Sequence, residues 1–378
     1  MNLDLTEEQE MLRTSARDFL TKECPKTLVR KLEEDQKGYS PELWSKMADL
    51  GWMGLVLPEK YGGQGMGFMD LVILLQEMGR NIVPGPFFST VVLGSLPILS
   101  AGTEEQKKEF LPKIAKGELI STLAFTEPSA RYDAAGVETK AVAQGDSFVI
   151  DGTKLFVENA HIADYIICVT RTKKGATPEE GITLFLVDAK TPGIKCEVMP
   201  TIGADKLCEI VFKNAKVPKK NVLGKLNEGW PVLAKALEYA TIAKCAEMVG
   251  GQEASMDMTL AYVKERVQYG KPIGSFQVIQ HYCANMWMNV ETSRDILYKA
   301  AWSLAEGLPT SANEVAIAKG WINEAYKFVT ERAVQCHGAI GTTRDHDIGL
   351  YYRRAKAGEL AFGDTDFQRE SVARQVGL

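Results

Sequence analysis

The chain has seven cysteines, Cys24, Cys168, Cys196, Cys208, Cys245, Cys283 and Cys336, but no CxxC pair and no histidine-rich run beside them. An odd count without paired spacing argues against a zinc site or a disulfide framework. It points instead to reduced, buried thiols in a cytoplasmic protein, with no metal expected. Long hydrophobic runs are also missing. A membrane span needs roughly 18 uninterrupted apolar residues, and the patches near Val91–Leu99 and Tyr165–Val169 are short or interrupted. The opening segment MNLDLTEEQEML is acidic and amphipathic, without the basic start and apolar run of a signal peptide. Positive charge is in deficit: 44 Lys and Arg stand against 49 Asp and Glu, for a net charge of −5. That balance removes the electrostatic case for binding nucleic acid. Short basic clusters such as Lys219-Lys220 and Arg353-Arg354 read as solvated surface. No internal repeat and no low-complexity linker interrupts the chain.

What remains is an average globular composition, 45% hydrophobic and 25% charged over 378 residues, which excludes disorder and implies two or three packed subdomains. Texture changes twice along it. Residues 1–119 carry apolar positions spaced by three and four, as in LTEEQEMLRTSARDFLTKEC and PELWSKMADLGWMGL, which predicts helices. Thr6 followed by Gln9 has the form of a capping box. LPEKYGGQGMG breaks the pattern as a loop, and FMDLVILLQEMGR resumes it as a buried helix. Residues 120–225 turn strand-like. KAVAQGDSFVIDGTKLFVENA predicts a hairpin at Gly145-Asp146 and a second turn at Asp151-Gly152. DYIICVTRT, GITLFLVDA, GIKCEVMPTI and CEIVFKNAKV add short β-branched runs. Residues 226–378 return to helix, beginning with a long segment that keeps Ala and Gly on one side, suited to close packing. The expected fold class is α+β: an N-terminal helical domain, a central antiparallel β-domain and a C-terminal bundle of the four-helix type.

Four local patterns in this order resemble the acyl-CoA dehydrogenase family. They are AFTEPSARYD (Ala124–Asp133), DGTKLFVENAHIAD (Asp151–Asp164), ERVQYGKPIGSFQVIQH (Glu265–His281) and QCHGAIG (Gln335–Gly341) with the following YYRRAKAGELAFGDTD. The resemblance runs from about Leu5 to Ala373 and implies the fold just described. It also implies an FAD-dependent oxidation of an acyl-CoA thioester to an enoyl-CoA, in which a base removes the proton beside the carbonyl and flavin N5 accepts a hydride. A homotetramer or dimer, or a heterotetramer, and an electron-transfer flavoprotein as acceptor are implied with it.

Under that resemblance, Phe125, Thr126 and Glu127 match the segment along the flavin ring. Phe156 matches the aromatic packed on the flavin. From the residues alone, Thr126 reads as a strand end and Phe156 as core. Glu158 stands where the family usually has Thr, and a carboxylate there is unfavourable beside a reduced, anionic flavin. Arg266, Gln268, Phe276 and Gln277 match residues that grip the FAD of a neighbouring subunit, and a guanidinium suits its pyrophosphate. Gln335, Gly338 and Gly341 form a glycine-rich turn that lets backbone approach the dinucleotide.

The base departs from the pattern. Phe362 occupies the position where the best-known branch has Glu, and Ala240 the position where a second branch has it; neither can accept a proton. Two acids remain. Glu247, in the apolar run CAEMVGG, is expected to be buried; it reads equally as a base or as a carboxylate satisfied by a cation. Asp364 reads as a base or, in preference, as a ribose contact or helix cap. His281 and His337 read as hydrogen-bond partners. Thr241 stands where relatives often carry an Arg near the CoA. The missing Glu also suits a subunit of a heteromeric dehydrogenase, or other flavin chemistry such as a monooxygenase or desulfinase. It hints at a cyclic, branched or dicarboxylic acyl group.

Overall fold

A computed structural model describes residues 4–378. Its helices are α1 (Glu7–Glu23), α2 (Lys26–Glu34), α3 (Pro41–Asp49), α4 (Phe68–Asn81), α5 (Leu96–Ala101), α6 (Glu104–Ala115), α7 (Trp230–Glu265), α8 (Gln277–Ala305), α9 (Ser311–His337), α10 (Ile348–Leu360) and α11 (Thr365–Gln375). Its strands are β1 (Ser121–Ala124), β2 (Lys140–Gln144), β3 (Ser147–Glu158), β4 (Tyr165–Arg171), β5 (Ile182–Asp188), β6 (Ile194–Met199), β7 (Leu207–Pro218), β8 (Val222–Leu223), β9 (Val267–Gln268) and β10 (Lys271–Pro272). Helices, then a sheet, then helices is the order that the periodicity predicts. The chain condenses into two units. One gathers the residues up to Lys31, Gly67–Val83 and Thr241–Leu378; the other gathers Leu32–Met66 and Pro84–Ala240. Among the described residues no helix is long and apolar enough to cross a membrane.

In the first unit, Thr6 starts α1 as its spacing predicts. The Gln9 amide donates to Thr6 Oγ1 at 3.2 Å, and the Thr6 amide donates to Gln9 Oε1 at 3.1 Å. Helix α4 is buried from Leu71 to Met78 and lies against α7 almost backbone to backbone. A Cβ on Gly79 would stand 2.0 Å from the Glu247 carbonyl oxygen, and one on Gly250 would stand 1.8 Å from that of Gln76. The small-residue side of α7 is therefore a packing requirement. Gly250→Ala should cost about 1–3 kcal/mol of overpacking, read as a lower midpoint in urea; an unchanged midpoint would show that the two helices can slide apart without loss.

In the second unit, the strands run β6-β7-β3-β2-β4-β5-β8, antiparallel except where β1 pairs in parallel with β4 and where Lys140 of β2 meets Arg171 of β4. The hairpin at Gly145-Asp146 forms as predicted, with Gln144 opposite Ser147 and Gly145 at φ +59°. The second predicted turn does not. Asp151 and Gly152 lie inside β3, where the register against β7 slips between Ile150 and Gly152. Gly152 at φ +154° serves a β-bulge. One face of the sheet buries Phe148, Ile150, Cys168, Phe185, Val187, Ile210 and Phe212, and the Phe148 and Phe185 rings pack with centroids 5.0 Å apart.

Candidate active site

Four of the residues matched to the flavin region meet in the sheet unit. Beyond β1 the chain stays extended, and the Leu155 amide donates to the Thr126 carbonyl at 2.9 Å. This sets Phe125 and Thr126 beside Phe156 and Glu158. Thr122 Oγ1, on the same segment, donates to the Glu158 carbonyl at 2.7 Å. A second register slip, between Lys154 and Val157, accompanies φ +56° at Phe156, whose ring is 46% exposed. Phe156 is therefore turned out of the core by a bulge, in a left-handed conformation that costs an L-residue about 1–2 kcal/mol. The Thr126 hydroxyl has no protein partner among the described residues. Beneath this strip Glu127, expected along the flavin ring, is instead paired with Lys154, to which the pattern reading assigned no role. Lys154 Nζ sits 2.6 Å from Glu127 Oε1, both buried, and also donates to the Phe125 carbonyl at 3.1 Å. Glu127 further accepts from the Glu138 and Thr139 amides at 2.9 and 3.0 Å. Trp230, also unforeseen, places its ring 6.4 Å from that of Phe125.

The dinucleotide candidates gather in the other unit. Arg266 precedes the β9–β10 hairpin, which turns through Tyr269 (φ +53°) and Gly270 (φ +80°). Phe276 caps the start of α8; the Tyr269 ring meets it edge-on at 6.1 Å and Lys271 Nζ lies 4.5 Å above it. Gln277 opens the helix. At the end of α9, His337 stacks on Tyr262 with centroids 4.5 Å apart, which brings the Gln335–Gly341 turn to the end of α7 that carries Arg266. Gly338 has φ +64° and open space where a Cβ would point. Arg266, Gln268, Gln277 and Gln335 are exposed. The Gln268 amide is turned back on the Val267 carbonyl at 2.7 Å, whereas Arg266, Gln277 and Gln335 keep side chains without protein partners among the described residues. His337 is buried. Its Nδ1 lies 2.7 Å from the Ala333 carbonyl and its Nε2 has no partner. Burial, assisted by His346, lowers its pKa.

The base candidates also lie in this unit, and the corner that carries Asp364 holds a buried lysine. Glu247 is not buried among apolar side chains as its run implied. Its carboxylate is 25% exposed and sits 2.7 Å from Lys244 Nζ, because one helical turn carries it back onto a cation. Asp364 caps α11, accepting from the Phe367 amide at 2.9 Å. Ala240 is fully buried. Phe362 is held at φ +56°, its carbonyl accepting from Gln368 Nε2 at 3.1 Å. Lys319 is buried completely and donates to Asn323 Oδ1 at 2.5 Å and to the Gly358 and Glu359 carbonyls at 2.7 and 3.3 Å. Asn323 in turn reaches the Gly363 carbonyl at 3.5 Å. The lysine thus ties α9 to the α10–α11 corner.

Three family models match the chain in succession: the N-terminal domain of acyl-CoA dehydrogenases over residues 6–118, their middle domain over 122–215 and their C-terminal domain over 227–377. A probable acyl-CoA dehydrogenase of Bacillus subtilis is 34% identical over the full length of both chains. The chain belongs to the acyl-CoA dehydrogenase family. The crystal structure of an acyl-CoA dehydrogenase from Geobacillus kaustophilus superimposes with a TM-score of 0.93 at 31% identity, over 99% of each chain. A structure of the ChsE4-ChsE5 complex from Mycobacterium tuberculosis superimposes at 0.91 and 26% identity, covering 100% of this chain and 99% of that one.

Acyl-CoA dehydrogenases are FAD-dependent oxidoreductases, and the residues present fit the cofactor. An unpaired guanidinium (Arg266) and two unpaired amides (Gln277, Gln335) are the donors a pyrophosphate needs. Open space at Gly338 admits close backbone approach. Lys319 gives this dehydrogenase a further property. Burial lowers its pKa from 10.5 to about 8, assisted by the neighbouring Lys244 charge and opposed by smaller contributions from Cys245, Glu359 and Asp364. Between those values the unfolded chain binds more protons than the folded one, so this group makes stability rise with pH. The unfolding free energy of the wild type minus that of Lys319→Met should accordingly grow by about 3 kcal/mol between the two pKa values. Urea titrations at stepped pH check this, and a flat difference would mean that the ammonium is solvated.

Proposed function

We propose that this enzyme oxidises an acyl-CoA thioester to the enoyl-CoA, with Glu247 as base and with an electron-transfer flavoprotein receiving the electrons. The observation that carries the reading is the Leu155–Thr126 hydrogen bond, which aligns Phe125, Thr126, Phe156 and Glu158 on adjoining backbone. Bound FAD supplies a two-electron acceptor beside that strip. Thr126 offers it a free hydroxyl, and Phe156 offers an aromatic face already turned out of the core. Arg266, Gln277 and Gln335 would hold the dinucleotide, with Gly338 letting backbone close on it; Gly341, expected to do the same, is buried, and its lack of a side chain serves packing against His337 and Val334. Their exposure on the isolated chain suits cofactor contacts made to a neighbouring subunit, hence a homodimer or homotetramer. Glu247 would take the proton beside the thioester carbonyl, and the Lys244 ammonium orients its carboxylate. Asp364 serves the helix it caps. Phe362 leaves an aromatic in place of an acid near the α10–α11 corner, which favours a cyclic, branched or dicarboxylic acyl group over a short straight chain.

A second reading is favoured by the lack of an acid at both Phe362 and Ala240: the chain is one half of a heteromeric dehydrogenase, as the likeness to a two-component complex suggests. Anaerobic titration of the purified flavoprotein with straight-chain, branched, cyclic and dicarboxylic acyl-CoAs decides between them. Bleaching of the flavin by one class supports the first reading and names the substrate. No bleaching until a partner chain is added supports the second. Rapid oxygen consumption by reduced enzyme would replace both with monooxygenase chemistry.

A further inference from the structure

The ladder that joins β1 to β4 ends with Ala124 opposite Cys168, yet the three residues that follow are fixed one after another. Lys154 Nζ donates to the Phe125 carbonyl at 3.1 Å. The Leu155 amide donates to the Thr126 carbonyl at 2.9 Å. The Glu127 carboxylate takes Lys154 Nζ at 2.6 Å and the Glu138 and Thr139 amides at 2.9 and 3.0 Å. One buried ammonium thus grips the segment on both sides of Thr126, whose hydroxyl keeps no protein partner among the described residues. The same lysine stands at the root of the bulge. Its pairing with Ile210 is the last regular one before the register slip that turns the Phe156 ring outward. Strip and bulge therefore share one anchor. Stability alone does not call for it, because a well-packed apolar pair of similar volume is often at least as stable as a buried ion pair. What the charged pair adds is direction, through short hydrogen bonds that fix where each backbone group lies.

We propose that Lys154 is a positioning residue which, on the reading that FAD lies along this strip, raises the midpoint potential of the bound flavin by holding the Thr126 hydroxyl and the Phe156 ring in place. Its side chain is 0% exposed, so it acts only through the Phe125 carbonyl, Glu127 and the strand it belongs to. A donor already aimed when negative charge develops stabilises the reduced, anionic flavin more than the oxidised one. A donor that must first be reoriented stabilises it less, and the potential falls.

The test uses the full chain with its flavin. Replacing Lys154→Met together with Glu127→Gln removes the pair without stranding a charge. The midpoint potential, measured by anaerobic dye-coupled reduction, should fall by at least about 30 mV, which is a tenfold loss of preference for the reduced form in a two-electron couple. Lys154→Arg, which keeps donors for both the carbonyl and the carboxylate, should recover most of that shift. Should the double variant not fold or not retain flavin, Glu127→Gln alone must lower the potential, and an unchanged value there would overturn the proposal. Thr126→Ala separates this role from the reading beneath it, and should also lower the potential. If Thr126→Ala shifts the potential and the double variant does not, Lys154 loses the positioning role while the strip keeps its flavin. If neither shifts it, the flavin lies elsewhere and both fall. A shift in the double variant without one in Thr126→Ala would trace to general loosening of the sheet, and would overturn the proposal as well.

Discussion

Replacing Lys154 by methionine should cost about 3–5 kcal/mol, the penalty for removing one partner of a buried ion pair. Lys154 and Glu127 have side chains 0% and 4% exposed and stand 2.6 Å apart. With the ammonium gone, Glu127 keeps two backbone amides, from Glu138 and Thr139, but holds a full charge in a site that water cannot reach. The Phe125 carbonyl loses its donor as well. Denaturant titration of Lys154→Met measures the loss. The double variant Lys154→Met with Glu127→Gln should recover part of it, because the stranded charge is removed. Flavin content should fall in the single variant, since Phe125 and Thr126 are anchored through the same lysine. A loss below about 1 kcal/mol would place the pair in the class of exposed ion pairs and sink the argument.

Glu247→Gln should lower the rate of flavin reduction by about 10²- to 10⁴-fold, the usual contribution of a general base. Stability should scarcely change, because the Lys244–Glu247 pair it breaks is partly solvated and such pairs contribute about 0–1 kcal/mol. Asp364→Ala should show the opposite profile. It removes the cap on α11, costing about 1 kcal/mol, while the reduction rate stays within a few-fold of wild type. Stopped-flow reduction by the best acyl-CoA, beside urea midpoints for both variants, separates the two residues. Were Asp364→Ala the slow enzyme, the base would move to Asp364. Were both variants fast, the base would come from another chain and the heteromeric reading would gain.

Much of the fold was legible because helices and strands repeat at different periods, and this chain switches period cleanly twice. The capping box at Thr6 and the hairpin at Gly145-Asp146 rest on local chemistry that needs no tertiary partner. Asp151-Gly152 was misread because a glycine at positive φ is what a turn and a bulge both require, and only the neighbouring strand distinguishes them. Glu247 was misplaced by its apolar neighbours in sequence, although Lys244 stands three residues before it, the spacing at which helical side chains meet. Lys154 gave no sign of burial, since its partners lie at least 27 residues away; Lys319 has Asn323 one helical turn on, but the carbonyls that complete its shell come from Gly358 and Glu359, about 40 residues further along.

The helical unit that holds α4 against α7 is assembled from three separate stretches of chain, and this imposes an order on its birth. As the chain leaves the ribosome, α1 and α4 emerge early and can pack on each other, but the rest of their unit, α7 included, begins only at Thr241. At about 5–20 residues per second, the apolar flank of α4 waits on the order of ten seconds or more for its partner helix. The sheet unit, whose last residue is Ala240, can close in that interval. The nascent chain therefore carries a finished sheet and an uncovered helix at the same time, and the surface from Leu71 to Met78 is where a chaperone would have most to protect.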